Sequence, residues 1–73
     1  METQKFLFAV LLGKSGDGEE LMEVHRLEFV VAESEDDAKV LAKTRWNVES
    51  SHIDGIRKLD LVDGYEIALD KKS

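Results

Sequence analysis

The sequence lacks cysteine, any long hydrophobic run and any block of basic residues. Without cysteine, neither disulfides nor thiolate metal sites can stabilise the fold, and a secreted domain of this size usually needs such help. The longest apolar run, Phe6 to Leu12, is far too short to span a bilayer. The polar N-terminus, Met1 to Lys5, does not resemble a secretory signal. These absences favour a soluble, cytoplasmic protein without a membrane partner.

The charge balance argues against a nucleic-acid partner. The formal net charge is −6, and the ten basic residues are scattered along the chain. Nucleic acids are bound largely through phosphate neutralisation by Lys and Arg, which this balance opposes. We attribute the acidic surface to solubility.

The length of 73 residues allows one domain, with an ordered core expected over about residues 5–70. A chain this short buries only about 60% of the surface that its unfolded form exposes. Hydrophobic residues make up 42% of it, which is typical of a globular protein and argues against disorder.

The N-terminal half predicts a β-hairpin. Strand-forming residues fill Phe6–Leu12, turn residues fill Gly13–Gly18, and Leu21–Val31 again alternates as a strand. A lysine and a serine follow Gly13, but the rest of a phosphate-binding loop and its following helix are missing, so a turn is the better interpretation. In the second strand, every second residue lies on the same face. We expect the core to contain the face formed by Leu21, Glu23, His25, Leu27, Phe29 and Val31.

A helix is predicted between Ser34 and Asn47. Ser34 is an N-cap residue three positions before Asp37, and acidic residues follow it where the helix dipole favours them. Asn47 tolerates the left-handed conformation that ends many helices. Trp46, at the end of the apolar side, is expected to close the core, and Val40 to be partly exposed.

A second hairpin is predicted after the helix. His52–Val62 forms one strand with a bulge near Gly55, the Asp63–Gly64 pair forms a two-residue turn, and Tyr65–Leu69 forms the last strand. We expect Tyr65 to be packed. The fold class is therefore α+β, with the order β-β-α-β-β and one helix on a four-stranded, mainly antiparallel sheet.

The sheet face away from the helix is unusually apolar. We expect it to carry a set of mainly aliphatic residues: Leu7, Ala9, Leu11, Met22, Val24, Val30 and Ile56. A monomer rarely leaves so much apolar surface in water. The prediction is that a second copy covers this face and the protein is a homodimer.

The order of short segments along the chain resembles a bacterial family of domains of unknown function, number 1543. The segments are Leu7-Phe8-Ala9-Val10, Leu12-Gly13, Glu23-Val24-His25, Phe29-Val30-Val31, Glu33-Ser34, Trp46, His52-Ile53-Asp54 and Val62-Asp63-Gly64-Tyr65. The resemblance covers roughly residues 6 to 67 and implies no assigned activity. It implies that members often carry two copies of the domain in one chain. The sequence departs from the family at Lys14 and at Arg26.

Both histidines have a carboxylate two residues away. Glu23 and His25 share one face of their strand, as do His52 and Asp54. If the strands are neighbours, the four side chains converge into a ligand-binding, metal-binding or acid–base site. A purely structural hydrogen-bonded cluster is the simpler interpretation. Arg45 is expected on the inner side of the helix, where it pairs with Glu23 or Asp54.

No nucleophilic site is evident, since cysteine is absent and the serines have ordinary explanations as caps and linkers. We therefore predict an uncharacterised interaction or regulatory module that self-associates. We favour a non-enzyme over an enzyme, and we predict no cofactor and no metal. The alternative is a domain that binds a small ligand or a metal, with or without catalysis, through Glu23, His25, His52 and Asp54.

Overall fold

The computed structural model describes residues 4–14, 24–47 and 50–72. The elements in chain order are β1 Phe6–Lys14, β2 Val24–Ala32, α1 Glu35–Trp46, β3 His52–Lys58, β4 Leu61–Val62 and β5 Tyr65–Glu66. The α+β class is confirmed, but the four-stranded sheet is wrong. The described strands form one three-stranded antiparallel sheet, in the order β2-β1-β3, and a separate two-stranded sheet, β4-β5.

Strand β1 is the centre of the three-stranded sheet. It pairs with β2 on one side, where Phe8 is opposite Val30, and with β3 on the other, where Phe8 is opposite Lys58. The predicted pairing of the first two strands is confirmed. The turn predicted for Gly13–Gly18 lies mostly outside the described residues.

The core lies between this sheet and α1. Its fully buried side chains come from alternate positions of the two strands and from the two alanines of the helix: Phe8, Val10, Leu12, Val30, Ala32, Ala38 and Ala42. The small alanine side chains allow the helix to approach the sheet closely. Trp46 packs against this cluster and is partly buried, as predicted.

The ends of α1 follow the sequence signals. The Ser34 hydroxyl accepts a hydrogen bond from the Asp37 backbone N–H at 3.2 Å. Asn47 adopts the left-handed conformation with φ 47° and ψ 47°, and its N–H donates to the Lys43 carbonyl at 2.7 Å. Both predicted caps are confirmed, and so is the exposure of Val40.

The predicted orientation of β2 is wrong. Val30 and Ala32 face the helix and are buried, whereas Leu27, Phe29 and Val31 face away from it and are exposed. The register with β1 decides this, because Val30 is opposite the core residue Phe8. Val24 and Ile56, assigned to the far face in the sequence analysis, accordingly share the helix side with Val30, while Leu7, Ala9 and Leu11 lie on the far face as expected.

The last hairpin leaves the sheet instead of extending it. The Leu59 N–H donates to the Leu7 carbonyl at 2.8 Å, so the chain follows β1 to that point and then bends at Asp60. Asp63 and Gly64 both have positive φ, 54° and 83°, as the predicted two-residue turn requires. Tyr65 is 75% exposed, so the prediction that it is packed is wrong.

Candidate functional site

The face of the sheet opposite α1 is called here the open face. Its residues come from all three strands: Leu7, Ala9, Leu11 and Gly13 from β1, His25, Leu27, Phe29 and Val31 from β2, and His52, Gly55 and Arg57 from β3. No described helix or strand packs against it. Four of its large apolar side chains are exposed: Leu11, Leu27, Phe29 and Val31.

The middle of the open face is apolar. Leu27 is 52% exposed and Phe29 is 55% exposed, and they lie opposite Leu11 and Ala9 of the central strand. Complete burial of a side chain of this type is favourable by about 1.5–3 kcal/mol. Exposed apolar residues are ordinary when scattered, but a contiguous set on one sheet face indicates a contact surface.

Two histidines and an aspartate meet at one end of the open face. His25 Nε2 lies 3.2 Å from Asp54 Oδ2, and His52 Nε2 lies 2.8 Å from Asp54 Oδ1. One carboxylate thus contacts both imidazoles, one from β2 and one from β3. We call these three residues the histidine cluster.

Gly13 makes the meeting across three strands possible. In the register of the sheet it lies opposite His25 on one side and opposite His52 on the other. Any other residue would place a side chain on the open face between the two imidazoles. From the sequence, Gly13 was interpreted only as a turn residue. Its role between the two histidines follows from its position opposite both of them, which depends on the register of the sheet.

A β-bulge positions the carboxylate. Leu11 is opposite Gly55 and Leu12 is opposite Ile53, which leaves Asp54 as the extra residue of β3. A bulge bends its strand and redirects the side chain at that point. The predicted bulge near Gly55 is therefore confirmed, and it sets Asp54 beside His25 and His52.

The histidine cluster is accessible to solvent. The side chains of His25 and His52 are 47% and 43% exposed, and that of Asp54 is 27% exposed. All three side chains are therefore within reach of a ligand in solution. Among residues 4–14, 24–47 and 50–72, no three or more His, Cys, Asp or Glu side chains form an arrangement that could hold a metal ion.

The other two predicted site residues lie elsewhere or outside the described parts. Glu23 lies outside the described residues. Arg45 does not pair with Asp54: its Nη1 donates to the Phe29 carbonyl at 2.7 Å, and its side chain is exposed. The predicted pairing of Arg45 with Asp54 is wrong, and the guanidinium instead links α1 to the edge strand β2. Its other predicted partner, Glu23, lies outside the described residues.

The comparisons with known proteins give one match. No described helix has the length and apolar character needed to cross a membrane. No curated protein and no solved structure matches the chain significantly. The family model described as Domain of Unknown Function (DUF1543) matches residues 20–69, which include every described element except β1. The chain belongs to the DUF1543 family.

Proposed function

We propose that the protein is a non-enzymatic interaction module that self-associates through its open face. The observation that carries the proposal is the contiguous apolar set centred on Leu27 and Phe29, which nothing in the described chain covers. A second copy carries exposed apolar surface of its own, so it can cover this set and have its own set covered in return.

Energetics support a second copy as the occupant. Phe29 and Leu27 are each about half exposed, so complete burial contributes roughly 1 kcal/mol per side chain. A two-fold axis doubles every contact, because each residue occurs once on each copy. Leu11 and Val31 border the same patch and enlarge it.

The test is the molar mass of the wild type and of Phe29→Asp, measured by light scattering and sedimentation at micromolar concentration. We expect a dimer for the wild type and a monomer for Phe29→Asp, because a carboxylate in the interface loses its water without gaining a partner. Val40→Asp is the matched control, since Val40 is 64% exposed on α1 and away from the open face. A monomeric wild type, or equal dissociation of the two variants, contradicts the proposal.

A further inference from the structure

The β4–β5 hairpin, with its flanking residues 60–67, projects from the domain as an arm. Neither of its strands packs against another described strand or helix. The chain measures 49 × 28 × 20 Å and has a radius of gyration of 14.5 Å. A compact domain of this length has a radius of gyration of about 11 Å. The chain is thus more extended than a compact domain of its length.

One side of the arm is apolar. Val62 is opposite Tyr65, and the Ile67 N–H donates to the Asp60 carbonyl at 3.0 Å, so the ladder continues by one further pair. Because side chains alternate along a strand, Val62, Tyr65 and Ile67 lie on the same side. All three are exposed. An isolated two-stranded hairpin is marginally stable in water, and an apolar side increases its need for a packing partner.

We propose that the arm of each copy packs its apolar side on the open face of a second copy. The proposal rests on the self-association proposed above and specifies which part of the second copy covers the face. Within residues 4–14, 24–47 and 50–72, two exposed apolar surfaces have no helix or strand packed on them: the side of the arm formed by Val62, Tyr65 and Ile67, and the middle of the open face. Reciprocal exchange covers both surfaces in one symmetric contact.

Charge favours the same pairing. Residues 60–70 contain four acidic side chains and no basic one: Asp60, Asp63, Glu66 and Asp70. The open face carries Arg57 beside the apolar patch, opposite Ala9. An acidic arm that approaches a face with a guanidinium gains attraction, whereas two acidic arms repel each other. The arm therefore fits the open face better than it fits another arm.

The arm does not reach the open face of its own chain. Strand β3 pairs with β1 up to Lys58, and the Leu59–Leu7 hydrogen bond continues this pairing to the end of the sheet. The hairpin begins only two residues later, at Leu61, and extends beyond that end. Neither strand of the hairpin contacts β1, β2 or β3 of its own chain. A second copy is thus the accessible partner.

The absence of cysteine from the native chain permits a direct test by cross-linking. Val62→Cys, on the arm, and Leu27→Cys, on the open face, are prepared separately, mixed under reducing conditions and then oxidised. We expect a disulfide between the two different chains, because such a bond forms only when the Cα atoms are about 4.4–6.8 Å apart. Val62→Cys mixed with Val40→Cys is the control and should give at least about tenfold less product, since a surface away from the contact does not hold the thiols together.

The outcomes separate this inference from the self-association on which it rests. If the wild type is a dimer but position 62 cross-links equally to positions 27 and 40, or to neither, the arm exchange is wrong and the self-association stands. If the wild type is a monomer and no pair cross-links, both are wrong. Tyr65→Asp provides a second readout: we expect dimer dissociation to increase at least about tenfold, equivalent to about 1.4 kcal/mol. Unchanged dissociation overturns the arm exchange, provided that circular dichroism shows a folded chain.

Discussion

Ser34 is a single residue whose contribution to stability follows directly from one contact. Its hydroxyl accepts the Asp37 N–H, which otherwise has no partner within the first turn of α1. We expect Ser34→Ala to lower the free energy of unfolding by about 1 kcal/mol. Ser34→Asn should stay close to the wild type because the amide oxygen can accept the same bond. Urea denaturation measures both, and equal losses in the two variants would show that the cap does not stabilise the helix.

Single side chains were predicted well where their partner is local in sequence. The capping interaction of Ser34 and the left-handed Asn47 depend on residues within one helical turn. Arg45 was assigned the wrong partner because its actual acceptor, the Phe29 carbonyl, is sixteen residues away on an edge strand. The prediction that Tyr65 is packed was wrong. The alternation of apolar and other residues around Tyr65 is the same whether or not another element covers that strand.

At the scale of elements, the orientation of β2 shows what a local pattern does not determine. Its sequence places apolar residues on both faces, with Leu27, Phe29 and Val31 on one and Val24 and Val30 on the other. The first set is larger, so burial of that set was the natural prediction. The pairing with β1 and the position of α1 place the smaller Val30 in the core instead.

The histidine cluster shows the same division between local and long-range information. The two-residue spacing of His52 and Asp54 predicted that they lie together, and they do. The approach of His25 required the order β2-β1-β3 and the position of Gly13 between the two histidines. Strand order is a property of the assembled sheet, and the alternation within one strand contains no information about it.

At the scale of the whole molecule, the separation of the β4–β5 hairpin from the main sheet increases the exposed apolar surface. The expected four-stranded sheet would have buried part of the last two strands within one chain. The three-stranded sheet leaves both the open face and the arm exposed. The predicted need for a second copy is therefore supported by two surfaces instead of one, and it remains a proposal that the mass measurements described above will test.

The central position of β1 has a consequence for how the fold assembles. The backbones of β2 and β3 are not paired with each other, since β1 lies between them and supplies Phe8, Val10 and Leu12 to the core. A chain divided after Gly18 should therefore give a C-terminal fragment, 19–73, that does not fold alone even though it contains the whole segment matched by the family model. Adding the peptide 1–18 should restore the fold.

Circular dichroism and nuclear magnetic resonance of the two fragments, alone and mixed, measure this reconstitution. The peptide variant Val10→Asp is the control, because a carboxylate at this fully buried position prevents the core from forming. A fragment 19–73 that folds without the peptide would contradict the expectation. If the reconstitution succeeds, β1 is the strand without which β2 and β3 do not assemble. The domain is then a two-piece system whose folding depends on adding a short peptide.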